Sequence, residues 1–395
     1  MVDYQSFISY SVHLAGMELQ VVSKPGLPQW DQVTSSTSLI AEHIRLKKND
    51  RLLIMGTHNG SGAVVLSRQN QIGETWLKDQ SSIALECARR TLVANNIQNI
   101  QISQEITLLP EFKDHFDVVV IESPKGRLIN RRWLVEAYTL LHSGGALYLA
   151  GSNDLGIQSI ARDAGELFGN TRILDYKKGA RIVQLVKTSR TNREPTWSTE
   201  PGIAPDTWIT YPMQVNKRML TIHLLPGVFS LAGLDDGTSL LLEKIGTPDA
   251  SRILDVGCGC GVIGLVLAQR LQEINRSYSI DMVDSDLYAV ASARKNITES
   301  RLINIQTFPS DLLQAVEKNK YELIVSNPPF HAGKEVNYMI SEAMILQSHR
   351  ALDMGGQLTL VANSFIRYEK MLEKYFRVVD IVAQNNRFRL ITALK

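Results

Sequence analysis

Cysteine is scarce here: Cys87, Cys258 and Cys260 are the three in 395 residues, too few and too scattered for a disulfide framework. Cys258 and Cys260 lie in a glycine-rich stretch with no second ligand pair in view, which argues against a metal centre. Long apolar runs are absent too. None approaches the ~20 residues needed to cross a bilayer, and Met1-Val2-Asp3-Tyr4-Gln5 lacks the basic start and apolar core of a signal peptide. A cytoplasmic, monomeric protein without membrane contact is expected. Net charge is nearly absent, with 42 Lys and Arg against 40 Asp and Glu. Bulk electrostatics therefore do not announce a nucleic-acid binder, and any RNA docking needs a local basic patch. The candidates are Lys125, Arg127, Arg131 and Arg132, then Lys177, Lys178 and Arg181; each cluster also reads as a solvated face.

The length has room for two domains. From Thr188 to Thr207 the apolar periodicity breaks, with Pro195, Pro201, Gly202 and Pro205 among Ser, Thr, Arg and Glu. This reads as a linker at 191–207 between domains at 1–190 and 208–395. The two sides repeat one plan. Arg51-Leu52-Leu53-Ile54-Met55-Gly56 lines up with Arg252-Ile253-Leu254-Asp255-Val256-Gly257. Phe116 through Lys125 lines up with Tyr321 through Phe330, and Gly144-Gly145 with Gly355-Gly356. Matches in the same order at nearly equal separations imply an ancestral duplication.

The second copy alternates strands and helices. Strand 252–256 leads through a glycine turn into helix 261–272; strand 278–283 precedes helix 287–300, and strand 322–326 precedes helix 337–352. Strand 357–362 follows Gly355-Gly356, and a hairpin of 378–383 and 388–394 ends the chain. Such alternation predicts a mostly parallel sheet with helices on both faces, and ligands at the C-terminal strand ends.

Two motifs fall there. Gly257, Cys258, Gly259 and Gly261 form a turn that exposes backbone to a ligand. Asp255 precedes it and can receive an ammonium. Asp284, followed by Ser285, ends the next strand and can accept from ribose hydroxyls. Asp311 ends the third and can bond an adenine amino group or cap the following turn. Asp286 reads as the cap of the next helix. This set favours S-adenosylmethionine over a nicotinamide dinucleotide. The second motif is Asn327-Pro328-Pro329-Phe330. The Asn327 side-chain oxygen and the Pro328 carbonyl can accept from an amine whose lone pair is otherwise delocalised. The prolines stiffen the loop, and Phe330 offers a face for a flipped base. Alone, the tetrapeptide also reads as a strand end with a buried Phe. Paired with the glycine turn, it reads as methyl transfer to an exocyclic or amide nitrogen. In the first copy Ile54 stands for Asp255, His58 for Gly259, Glu122 for Asn327 and Lys125 for Phe330. That copy has kept fold signals and lost binding signals.

Leu225-Pro226-Gly227-Val228-Phe229-Ser230, Gly233 through Leu242, Asp255 through Gly261, Asn327 through His331 and Val361-Ala362-Asn363-Ser364-Phe365 follow in order. With them the second half resembles the methyltransferase small domain of bacterial ribosomal RNA guanine-N2 methyltransferases. The resemblance implies two tandem Rossmann-like α/β methyltransferase domains, the N-terminal one degenerate and serving RNA docking or structure. It implies S-adenosylmethionine as cofactor, ribosomal RNA or a ribosomal subunit as partner, and a guanine N2 as acceptor. Pro226 through Ser230 resembles the small-subunit branch and Asn385-Asn386-Arg387-Phe388 the large-subunit branch; 16S rRNA is favoured over 23S. Phe229 and Asp235 are implied as a wall or lid of the cofactor site, or as packing. His331 is implied as an RNA contact or a structural histidine. A glutamine-N5 protein methyltransferase and a non-catalytic RNA-binding assembly factor are the rival readings.

Overall fold

The computed structural model of the protein describes residues 3–69, 73–108, 110–188, 194–215, 218–229, 233–328 and 338–395. The chain divides into two units, Ser6–Trp208 and Ile209–Lys395, the latter joined by residues 3–5.

The N-terminal unit opens with an antiparallel hairpin of β1 (Ile8–Leu14) and β2 (Met17–Ser23). Helix α1 (Ser35–His43) then leads to β3 (Leu52–Met55), α2 (Ser61–Gln69), β4 (Thr75–Lys78), α3 (Ser82–Ala94) and β5 (Ile100–Ser103). The unit continues with β6 (Phe116–Glu122), α4 (Arg127–Leu140), β7 (Leu141–Ser152), α5 (Ile157–Phe168), β8 (Arg172–Lys177) and β9 (Ala180–Val186). Its sheet runs β5-β4-β3-β6-β7-β9-β8, parallel through β7 and antiparallel beyond. All four residues of β3 are buried, as a central parallel strand covered on both faces requires.

The C-terminal unit repeats this plan. A hairpin of β10 (Ile209–Val215) and β11 (Arg218–Leu224) precedes α6 (Asp236–Ile245), β12 (Arg252–Val256), α7 (Val262–Glu273), β13 (Ser279–Asp284) and α8 (Leu287–Ser300). Then come β14 (Ile305–Pro309), β15 (Tyr321–Ser326), α9 (Tyr338–Ala351), β16 (Leu352–Asn363), α10 (Tyr368–Leu372), β17 (Val378–Gln384) and β18 (Phe388–Leu394). The sheet order is β14-β13-β12-β15-β16-β18-β17, the same permutation as in the first unit, again with an antiparallel far edge. Among the described residues no helix is long and apolar enough to cross a membrane.

Three differences from the sequence expectations have local causes. Strands β7 and β16 begin well before their double glycines, and the ladder shifts register beside them instead of stopping. A glycine pair there acts as a bulge rather than a turn. Both leading hairpins carry strand-forming residues next to the breakers that mark segment ends, and were not expected as sheet. The stretch expected as a linker is folded onto the N-terminal unit from residue 194 onward. Trp197 is 5% exposed, its indole N–H donates to Glu166 at 3.1 Å, and the Arg131 guanidinium lies 4.8 Å from its ring centroid. Prolines break periodicity, yet one tryptophan supplies enough apolar area to anchor such a segment.

Candidate active site

The cofactor side is built at the C-terminal ends of β12, β13 and β14. Asp255 is fully buried in β12. One carboxylate oxygen, Oδ2, accepts from the Gly264 N–H at 3.1 Å, while Oδ1 is buried with no hydrogen-bond partner. Burial pushes the carboxyl up to about 7, against the pull of the Gly264 N–H. An orphaned buried acceptor is costly in a finished structure, and an incoming ammonium would satisfy it. Gly257 and Gly259 have φ of 71° and 55°, the left-handed region, and a Cβ at either would meet nothing within 4 Å. Open space over a left-handed turn suits a ligand lying against backbone. The Cys258 and Cys260 thiols are buried and pushed up by that burial, to about 11 for Cys260, so neither offers a reactive thiolate.

Asp284 closes the far side of the turn. Its Oδ2 accepts from Gly259 N–H at 2.9 Å and its Oδ1 from Asp286 N–H at 2.9 Å. Burial raises the carboxyl and these N–H groups oppose it. Asp286 caps α8 by accepting from the N–H groups of Tyr288 and Ala289, as expected. Half-buried Ser285 lies between them. The Ser310 N–H donates to the Asp284 carbonyl at 2.8 Å, which sets Asp311 beside the same strand ends. Asp311 caps no helix: the 3-10 turn Gln314–Val316 has Leu313 at its cap position. These residues fit S-adenosylmethionine: an unmatched acceptor for its ammonium, open space for its body, and carboxylates for ribose and adenine.

The amine side lies at the end of β15, which pairs in parallel with β12 and sets Ser326 opposite Val256. The Ser326 hydroxyl fixes that junction by donating to the Val256 carbonyl at 2.8 Å. The next residue, Asn327, donates its amide NH2 to Asp235 Oδ1 at 3.2 Å and to Thr238 Oγ1 at 2.9 Å. An ionised carboxylate only accepts, so Asp235 fixes which way the amide faces and turns its oxygen away. Asp235 is also the N-cap of α6, accepting from Gly237 and Thr238 N–H groups. Expected as part of a wall or lid, it also orients Asn327 from 92 residues away. Sequence reading missed Thr238; an Asp three residues ahead of a Thr at a helix start was the available signal. Phe229 is 66% exposed, which rules out a buried packing role for it. Pro328 is buried, while Pro329, Phe330 and His331 lie outside the described residues.

The corresponding place in the N-terminal unit is closed. A Cβ at Gly56, which matches Gly257, would meet the Glu122 carbonyl oxygen at 2.2 Å and the Trp133 ring at 3.3 Å. The His58 imidazole bonds the Pro28 carbonyl at 2.6 Å, and Asn59 donates to the Gln32 carbonyl at 3.4 Å, so the chain covers its own turn. Glu122 occupies the Asn327 position and accepts from Thr34 Oγ1 at 2.7 Å and Thr37 Oγ1 at 2.9 Å. Thr34 caps α1 as Asp235 caps α6, so the contact survives with donor and acceptor exchanged. Burial pushes the Glu122 carboxyl up. Asp79, which sequence reading missed, keeps part of the Asp284 arrangement: it accepts from Ser81 N–H at 2.8 Å, as Asp284 does from Asp286, and from Thr57 N–H at 2.7 Å, one place before the residue matching Gly259. A strand ending in Asp, two residues before a Ser cap, was the signal.

The basic candidates separate. Arg132 is 3% exposed and its guanidinium donates to the Gly202 carbonyl at 2.8 Å and Thr107 Oγ1 at 3.0 Å. It therefore braces the fold and is corrected as an RNA contact. Arg131 is largely buried and, with Arg127, clamps the buried Asp163 carboxylate. Amphipathic placement on α4 decides this: a helix surface that packs against α5 buries its cations only in pairs. Lys177 and Lys178 are exposed, Lys177 paired loosely with Glu42 at 3.1 Å. Arg181 is half-buried, 5.7 Å from the Tyr176 ring centroid.

Similarity to known proteins agrees with this geometry. The methyltransferase small domain model matches residues 18–184 and again 219–392, one match per unit. A ribosomal RNA small subunit methyltransferase C from Psychromonas ingrahamii is 32% identical over 71% of this chain and 76% of its own length. The protein of the same description from Pseudomonas syringae pv. tomato is 33% identical, over 70% and 79% respectively. Among solved structures, a T. thermophilus 16S rRNA N2 methyltransferase in complex with AdoMet and guanosine superposes with a TM-score of 0.79. It is 25% identical and covers 100% of this chain and 99% of its own. Two α/β sheets of one permutation, one open glycine turn with an unmatched carboxylate oxygen, and a family match to each unit lead to one conclusion: the chain belongs to the methyltransferase small domain family, as a tandem pair.

Proposed function

We propose that the C-terminal unit transfers a methyl group from S-adenosylmethionine to the exocyclic N2 of a guanine in 16S ribosomal RNA. The observation that carries the chemistry is the Asn327 amide, held by Asp235 and Thr238 with its oxygen directed away from them. When bound, S-adenosylmethionine supplies an electrophilic methyl on a sulfonium. The chain's own residues do the rest. Asn327 Oδ1 and the Pro328 carbonyl accept the two N–H hydrogens of the guanine amine, which aims its lone pair at the methyl. No strong base is needed, because the methylated nitrogen sheds its proton to water. Asp255 holds the cofactor ammonium, Gly257 and Gly259 let its body lie against backbone beside Cys258 and Gly261, and Asp284, with Ser285, accepts from the ribose. Asp311 accepts from the adenine amine. Phe229 closes the cofactor side, and Phe330 stacks the base.

The N-terminal unit serves as scaffold and RNA dock, with Lys177, Lys178, Arg127 and Arg181 facing the RNA and His331 near the base. A ribosomal RNA or ribosomal subunit substrate places the enzyme in the cytoplasm. Mass-spectrometric mapping of ribosomal RNA from cells lacking the protein tests the reading. One N2-methylguanosine should vanish from 16S rRNA and return with the wild-type chain but not with Asn327→Ala. Loss confined to 23S rRNA would overturn the small-subunit assignment.

A further inference from the structure

The first described residues of the chain do not belong to the unit that follows them. Residues 3–5 group with the C-terminal unit, and the N-terminal unit begins at Ser6. Tyr4 is 4% exposed, and its hydroxyl donates to Asp311 Oδ1 at 2.6 Å across 307 residues of sequence. That length is typical of a charge-assisted O–H to carboxylate bond, among the stronger kinds in proteins. Asp311 Oδ2 has a longer contact, 3.4 Å, from the Gln314 amide. The carboxylate sits on a turn rather than in a strand, so side-chain partners decide its orientation.

We propose that Tyr4 is a positioning residue of the cofactor site, fixing the Asp311 carboxylate so that it accepts the exocyclic amine of adenine. This rests on the assignment of Asp311 to the adenine edge. An ionised carboxylate has about four acceptor positions, so it can hold the Tyr4 hydroxyl and the Gln314 amide and still accept an amine. A carboxylate ordered beforehand spares the binding step the cost of freezing it. It also discriminates: adenine presents a donor at its 6-position, whereas hypoxanthine presents an oxygen that a carboxylate repels. Sites built around a substrate N–H reject analogues that lack it.

The test uses the full chain, with calorimetric binding of S-adenosylhomocysteine and its 6-oxo analogue, S-inosylhomocysteine. Wild type should prefer the adenine ligand, and Asp311→Ala should lose the preference. Tyr4→Phe keeps the buried ring and removes only the hydroxyl. It should weaken S-adenosylhomocysteine about three- to tenfold while leaving S-inosylhomocysteine nearly unchanged, so the preference narrows. Equal weakening of both ligands, or no change in either, would reduce Tyr4 to packing and overturn the proposal while Asp311 kept its role. A preference that survives Asp311→Ala would instead overturn the adenine assignment and the Tyr4 proposal with it.

Discussion

Asp255 in β12 and Asn327 just past the end of the neighbouring strand β15 have different tasks, and substitution separates them. Asn327→Ala removes one acceptor from a preorganised site, which costs about 2.7–4 kcal/mol of barrier, or 10²–10³ in rate. Single-turnover methylation should fall by that factor while cofactor affinity stays within a few-fold; turnover above a tenth of normal would discard amine alignment. Asp235→Asn tests the orientation itself. Asn caps helices about as well as Asp, so the stability of α6 should hold. The new amide no longer forces Asn327 to present its oxygen, and turnover should drop about tenfold or more. For Asp255 the prediction concerns pH. An unfolded aspartate ionises near ~4, whereas the folded carboxyl rises to about 7. Between those values the native state keeps a proton that the unfolded chain has lost. This group therefore lowers stability as pH rises from about 4 to 7 and adds no further change above that. A cofactor ammonium at Oδ1 favours the ionised form, so binding expels the proton. Affinity for S-adenosylhomocysteine should tighten as pH rises from about 5.5 to 7.5, by at most about tenfold per unit. Asp255→Asn should flatten that dependence, and calorimetry in two buffers counts the proton.

At the scale of elements, α4 and the β8–β9 tip both carry cations, but Arg132 of α4 is buried and Arg131 largely so, while the tip lysines are exposed. Arg132→Ala strips the Gly202 carbonyl and Thr107 of a buried donor and should destabilise the N-terminal unit by about 2–4 kcal/mol in denaturant melts. Its effect on RNA binding should show no salt signature of its own. Lys177→Ala with Lys178→Ala should change stability by less than ~1 kcal/mol, since exposed ion pairs contribute little. It should lower the slope of log affinity against log salt by about 1.5–2. An unchanged slope would remove this tip from the RNA path. Sequence periodicity gave α8 its bounds and the final hairpin its place, because caps and turns are local. The Asn385 side chain accepts from Arg387 and Phe388 N–H groups and closes that hairpin. The first strand residues of β16 escaped notice, because a double glycine reads as a stop until a neighbouring ladder shows it to be a bulge.

At the scale of the whole molecule, one fold was copied and one site was closed. Both sheets share a permutation, and Asp79, like Asp284, accepts one N–H from its glycine turn and one from the residue two places on, although the turn donor is Thr57, the counterpart of Cys258 rather than of Gly259. What the first unit lost is space: Gly56 is shut in by the Glu122 carbonyl and Trp133, while Gly257 stays open. Titration of the full chain should give one S-adenosylmethionine per chain. Asp79→Ala should leave that binding intact, whereas Asp284→Ala should weaken it. A stoichiometry of two would mean the closed unit opens for ligand.

The sequence by itself determined the alternation of strands and helices, the duplication, the open glycine turn and the placing of Asn327. Those properties depend on neighbours a few residues apart: period, capping, turn chemistry and the end of a strand. Tertiary structure alone decided which end of the Asn327 amide faces outward, that Arg132 is bracing rather than binding, and that Tyr4 reaches Asp311. Each depends on burial and on a partner brought from 70 to 307 residues away. No local pattern encodes that distance; packing two layers onto one sheet does.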